Sequence, residues 1–243
     1  MTGVCVTLAQ VATLSSPAPM LVLAAVAFAF FLGSIPFGLV VARMRGVDIR
    51  KHGSGNIGAT NVGRVLGLRW FFVVFFLDML KGVMPVLLFG AWSGALGRMD
   101  LPASLAWSWM CVVVGAVLGH VFSPWVGFRG GKGVATALGA LLGAWPLLGA
   151  PVVLAAVAWG VVFKLFRYVS LASVSAAVAM PIGVLAWLLL AERVGAGEAS
   201  PGAWASSLTI SISLAMLVIW RHRSNIARLR AGTEPKARRA ARA

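Results

Sequence analysis

Three polar stretches interrupt a chain that is otherwise apolar, and all three use the same residue types. GSGNIGATNVGR (residues 53–64) sets Ser54, Asn56, Thr60, Asn61 and Arg64 among glycines. GHVFSPWVGFRGGKGVATALG (119–139) opens beside His120 and carries Gly130, Gly131, Lys132 and Gly133 in a row. RHRSNIARLRAGTE (221–234) holds His222 and Asn225, three residues apart and so on one face of a helix, with Arg221 and Arg223 flanking that face. Glycine lets backbone N–H groups converge on a small anion with no Cβ in the way, and hydroxyls, amides and fixed cations add further donors. This is the chemistry of phosphate binding. Carboxylates are scarce, with only Asp48 and Glu234 at the margins. A divalent metal wants a cage of carboxylate oxygens, so a metal-independent site with no cofactor is expected.

The run at residues 130–133 is not a nucleotide-binding phosphate loop, because no Ser or Thr follows Lys132 and no strand precedes it. A glycine-flanked lysine at the start of an apolar run still reads as an anion contact, since a helix N-terminus offers free N–H donors. His120 closes an apolar run and fits either a ligand contact or a satisfied interior histidine. Asp78 and Lys81 lie three apart inside another run, where a charged pair either serves function or braces the bundle.

These groups need elements to hold them, and composition says which. With 243 residues, 60% hydrophobic and 11% charged, the chain cannot cover its apolar side chains with a polar shell. It reads as an all-α integral membrane protein. Apolar runs fall at 21–42, 70–90, 104–122, 134–148, 151–166, 171–191 and 204–220, which predicts seven transmembrane helices and leaves no room for a soluble domain. The stretch 134–166 is too long for one straight crossing, and Trp145-Pro146 with Gly149-Ala150-Pro151 supplies the turn for two short ones. Glycine pairs at 115 and 119 and at 139 and 143 have the spacing of close helix packing.

The net charge of +15 does not point to nucleic acid once each charge is assigned to a side. If the chain crosses at every run, the 21 basic residues divide 18 to 2, with Lys81 inside a run. The basic side is then cytoplasmic, the N-terminus outside and the C-terminus inside. All three polar stretches fall on that cytoplasmic face. Residues 1–19, uncharged, read as a short exterior extension with Met20 an alternative start; 20–231 form the seven-helix domain, and 232–243 a basic cytoplasmic tail lying against anionic lipid. Cys5 and Cys111 are far apart and read as inert.

In order and spacing, the three stretches resemble the signature segments of the bacterial membrane glycerol-3-phosphate acyltransferases that use acyl phosphate, the PlsY family. GSIPFG (33–38), DMLKG (78–82) and RYVSLAS (167–173) add to the match, which covers roughly residues 20–234. The resemblance implies acyl transfer from acyl phosphate to the 1-hydroxyl of glycerol 3-phosphate, giving lysophosphatidic acid and inorganic phosphate in the cytoplasmic (inner) membrane. It carries active-site roles to Ser54, Arg64, Lys132, His222 and Asn225. Substrate contacts are expected from Asn56, Thr60, Asn61, His120, Gly130, Gly131 and Gly133, and a monomer among membrane lipid is expected. None of His52, His120 and His222 has the following Asp that marks the other acyltransferase class for this acceptor. A phosphate transporter would place its donors near the midplane in paired repeats, and a phosphoalcohol transferase would cluster aspartates; neither pattern is present.

Overall fold

The computed structural model describes residues 17–237, and every regular element among them is helical. The helices are α1 (Pro19–Ser34), α2 (Phe37–Met44), α3 (Ala59–Leu66), α4 (Leu68–Trp92), α5 (Ala103–Val121), α6 (Val134–Gly143), α7 (Gly149–Phe166), α8 (Val169–Leu190), α9 (Pro201–Arg221) and α10 (Arg223–Arg230). Among the described residues six segments are long and apolar enough to span a bilayer: Pro19–Met44, α4, α5 with the turn that follows it, α7, α8 and α9. The run predicted at 134–148 forms only the ten-residue α6, about 15 Å long and half of a crossing. Pro146 disfavours helix in the residue before it, so α6 ends at Gly143 and the chain turns into α7. Outward-facing Phe28, Phe31, Phe76, Leu88, Val161, Ile182 and Leu189 form the apolar exterior of an integral membrane protein. Cys111 is a free thiol on α5, and Cys5 lies outside the described residues.

The first span is broken where Pro36, lacking an N–H, interrupts the ladder between α1 and α2. Lys81 Nζ donates to the Ile35 carbonyl at 2.6 Å and pairs with Asp78 at 2.7 Å. The intramembrane pair therefore braces this break, although Asp78 also lines the pocket described below.

Close packing follows the glycine spacing. A Cβ on Gly119 of α5 would strike the Phe30 carbonyl of α1, and one on Gly139 of α6 would strike the Met79 carbonyl of α4. The partners are backbone and cannot swing aside. Gly119→Val is expected to cost roughly 3 kcal/mol through overpacking, read as a lower thermal unfolding temperature in detergent; an unchanged value would mean that α1 and α5 do not pack there.

Opposite the polar stretches, the connections tie to one another. Gly97 N, between α4 and α5, donates to Trp145 O in the α6–α7 turn, and Ser200 Oγ, capping α9, donates to Leu101 O. The other ends of the helices are left to build a site.

Candidate active site

The first wall is a loop shaped by one amide. Asn61, buried in α3, accepts from Ser54 N at 2.8 Å through Oδ1 and directs Nδ2 at the carbonyls of His52, Asn56 and Ile49, at 3.0, 2.9 and 3.3 Å. Gly53 sits against that amide at φ +59°, where a Cβ would collide with Asn61 Oδ1. Asn56 Oδ1 takes the Gly58 N–H at 2.9 Å, just ahead of α3. The side chains of Asn56 and Asn61 thus hold the backbone, while Ser54, Thr60 and Arg64 are carried to the pocket edge. Asp48 adds no free acid, because Arg50 takes both its carboxylate oxygens and holds its pKa well below the usual carboxylate range. Asn61→Ala is expected to cost about 1–3 kcal/mol of stability through the orphaned groups. A melting curve in detergent checks it, and an unchanged value would remove Asn61 as the loop's organiser.

The second wall corrects an expectation. Gly130 and Gly131 do not line the pocket, and their N–H groups do not cradle an anion: they donate to the carbonyls of Val121 and His120 at 3.1 and 3.2 Å. Their own carbonyls accept from Arg221 Nη2 at 2.8 and 3.0 Å. Both sides of this loop are consumed in docking it between α5 and α9. That docking delivers Lys132, then Gly133 at φ +82°, then the first turn of α6 into the pocket. His120 also lines it, with Nδ1 3.7 Å from Asp78 Oδ1, beyond hydrogen-bond range.

In the third wall His222 ends α9 and opens α10, placing Asn225 in the first turn of α10 on the pocket side. His222 Nδ1 lies 2.8 Å from the Val218 carbonyl, so that nitrogen carries the proton and Nε2 keeps its lone pair. Burial, and then the nearby Lys132 charge, lowers the His222 pKa to about 4, and the ring is neutral at neutral pH. Lys132 Nζ donates to Asn225 Oδ1 at 2.6 Å. Its pKa is lowered to about 8, chiefly by burial and further by Arg228, Arg64 and Arg221, against an opposing pull from Glu234.

Glu234 is the residue that sequence reasoning missed. It is 6% exposed and accepts from Asn225 Nδ2, Ser170 Oγ and Arg228 Nε, each at 2.7 Å. Burial opposes its ionisation, but the hydrogen bonds outweigh burial and its pKa falls below the ordinary value. The following residues cross the pocket rim rather than trailing away: Pro235 O accepts from Arg64 Nη2 at 3.4 Å, Lys236 lies over the Tyr168 ring, and Ala237 N donates to Arg167 O. The signal was a lone acid in a basic tail. Residues 1–16 and 238–243, parts of the predicted extension and tail, lie outside the described residues.

Ser54, Asn56, Thr60, Asn61, Arg64, His120, Lys132, Gly133, His222 and Asn225 therefore converge on one pocket. The first turns of α3, α6 and α8 also face it, and each presents the positive end of a helix dipole. Among the described residues no group of three or more His, Cys, Asp or Glu is arranged to hold a metal ion.

A cationic, donor-rich pocket at one end of a membrane bundle is suited to an anionic ligand. The family model for glycerol-3-phosphate acyltransferase matches residues 23–232. The chain belongs to the glycerol-3-phosphate acyltransferase family. It is 46% identical over 209 residues to the glycerol-3-phosphate acyltransferase of Geotalea daltonii, covering 85% of this chain and 92% of that protein. The enzyme of the same name from Aquifex aeolicus is 40% identical over 211 residues, covering 86% and 95%. Among solved structures, the integral membrane acyltransferase PlsY in its glycerol 3-phosphate form superposes with a TM-score of 0.72 at 38% identity, covering 89% of this chain and 96% of that one. The lysophosphatidic acid form of PlsY gives 0.70 over 88% and 94%. The first two polar segments and residues 221–232 of the third lie within the matched residues, whereas Glu234 falls just beyond them.

Proposed function

We propose that the donor is an acyl phosphate and that the pocket holds it and glycerol 3-phosphate together for direct transfer. The acceptor's 1-hydroxyl oxygen attacks the acyl carbonyl carbon, the carbon–oxygen bond to phosphate breaks, and 1-acyl-glycerol 3-phosphate and inorganic phosphate leave. A mixed anhydride already has a good leaving group, so no acyl-enzyme is needed. The difficulty is bringing two anions together. The convergence of Arg64, Lys132 and three helix N-termini on one pocket carries this reading, because fixed positive charge offsets that repulsion and positions both reactants.

His222 Nε2 accepts the attacking hydroxyl's hydrogen bond. With a pKa near 4 the imidazole is a weaker base than a phosphomonoester dianion, whose second pKa is about 6, so the proton ends on a phosphate oxygen. Ser54 and Asn225 hold the phosphates with Lys132. Cations and neutral donors supply the charge stabilisation, which makes the transfer metal-independent.

In the cytoplasmic membrane α6 and the turn after it make the fourth of seven passes, with the N-terminus outside and the pocket facing the cytoplasm. The helix ends at the pocket support this: α4, α6 and α8 begin there, whereas α5, α7 and α9 end there or run toward it. The protein acts as a monomer, and the acyl chain lies between α4 and the α7–α8 pair. Purified protein given glycerol 3-phosphate with either palmitoyl phosphate or palmitoyl-CoA tests the donor. Lysophosphatidate is expected from the acyl phosphate alone; product from the thioester alone would overturn the assignment.

A further inference from the structure

The RYVSLAS stretch, residues 167–173, enters the phosphate scheme only as the N-terminus of α8, yet its last five residues put three side chains on the pocket: Val169, Ser170 and Ser173. Ser170 and Ser173 are one turn apart on the same face of α8. Ser170 belongs to the polar half of the site, through Glu234. Ser173 faces the other half: its hydroxyl donates to Val169 O at 2.8 Å and accepts from Trp159 Nε1 at 3.2 Å.

Trp159, on α7, is half-buried and lines the pocket. One edge of the indole is held by Ser173, and its face is stacked on Phe163 at 4.9 Å and 19°. Phe71 and Phe75 line the pocket from α4 and are themselves stacked at 5.9 Å and 15°. The depths agree. Trp159 lies seven residues before the end of α7, and Phe75 seven residues after the start of α4, each about 10 Å along its helix from the polar rim. At that depth the α4 and α7 walls are aromatic, while Asp78, one turn further along α4, and His120 also line the pocket.

We infer that Trp159, pinned by Ser173, sets the acyl-donor specificity of the site: with Phe71 and Phe75 it makes a flat aromatic slot that fits a straight chain and rejects one widened by a branch or a bend. This rests on the acyl phosphate reading above. Trp159 touches the chain, and Ser173 is a positioning residue acting through it. Phe163 stacks on the indole from the same helix, and the Ser173 hydrogen bond ties it to α8, so the slot's width depends on the indole staying in place.

The test is the ratio of kcat/KM for hexadecanoyl phosphate to that for a methyl-branched acyl phosphate of equal carbon number, measured with glycerol 3-phosphate in the purified enzyme. Trp159→Ala is expected to shrink the ratio at least about tenfold, the scale at which an apolar pocket discriminates by a methylene or more. Ser173→Ala, which keeps the indole but frees its edge, is expected to shift the ratio the same way by about threefold. The KM for glycerol 3-phosphate should stay within about twofold in both, which separates a slot from general loosening. Should Trp159→Ala fail to fold, Trp159→Phe and Ser173→Ala decide the matter. Ratios unchanged in those two folded variants overturn the inference and leave the proposed reaction standing. A wild-type protein that turns over neither acyl phosphate overturns the reaction itself.

Discussion

Lys132→Ala is expected to lower kcat/KM by about 10³-fold while leaving the bundle folded. The ammonium is a fixed cation inside the pocket, and at an effective dielectric of 20 a unit charge about 4 Å from a phosphate oxygen contributes about 4 kcal/mol, or roughly three decades in rate. Stability moves the other way. With a folded pKa of about 8, below its unfolded value, the charged lysine is less favourable folded than unfolded at neutral pH, so its loss relieves strain among Arg64, Arg221 and Arg228. The melting temperature should hold or rise. The same pKa gives wild type a basic limb: as pH passes 8 the free enzyme loses this charge and kcat/KM falls. Lys132→Arg, charged throughout, should lack that limb whatever its absolute rate. A pH profile from 6 to 10 with a melting curve checks all of this, and a Lys132→Ala variant that melts early with normal turnover would reverse the assignment.

Glu234→Ala is expected to lose both stability and activity. It leaves Arg228 and the Asn225 and Ser170 donors without their acceptor and unfastens residues 232–237 from the pocket rim. Because the Arg228 side chain remains 39% exposed, water offsets part of the loss, and roughly 2–3 kcal/mol is expected. Asn225 then no longer presents Oδ1 to Lys132, and kcat/KM should fall about 10²-fold. The carboxylate's folded pKa lies below its ordinary value, so its contribution is present at neutral pH and is lost as pH falls through that folded value. Acid melting curves of wild type and variant should therefore converge, and a constant gap between them would show that Glu234 contributes no ion-dependent stability.

Much of this site is legible in the sequence because polar residues in an apolar chain are conspicuous. The three polar stretches stand out for that reason, the family resemblance singles out Ser54, Arg64, Lys132, His222 and Asn225 within them, and the structure brings those five to one pocket. What the sequence misjudges is direction. Gly130 and Gly131 look like anion donors, but Arg221, Val121 and His120 consume their polar groups, and glycine there serves to let the loop lie flat on His120. Glu234 is passed over because a carboxylate does not fit an anion-binding reading; in the structure it orients the Asn225 amide and fastens to Arg228 and Ser170. Trp159, Phe71 and Phe75 are invisible for the opposite reason, being apolar residues in apolar runs. In the fold, the run positions are readable, but α3 and α10 are too short to show a period, and the break at Pro36 is hidden inside a continuous hydrophobic stretch. The fourth run is shorter as a helix than as a sequence because the turn that Trp145-Pro146 signals takes residues 144–148 out of the helix.

Direct transfer between two phosphates held in one pocket, as proposed above, passes through no acyl-enzyme. Mixing purified protein with palmitoyl phosphate alone, then adding glycerol 3-phosphate, while following phosphate release and protein mass, tests it most directly. The prediction is no phosphate burst and no acylated protein before the acceptor arrives, then one phosphate per lysophosphatidate formed. A burst equal to the enzyme concentration, with the protein heavier by one palmitoyl group, would contradict it.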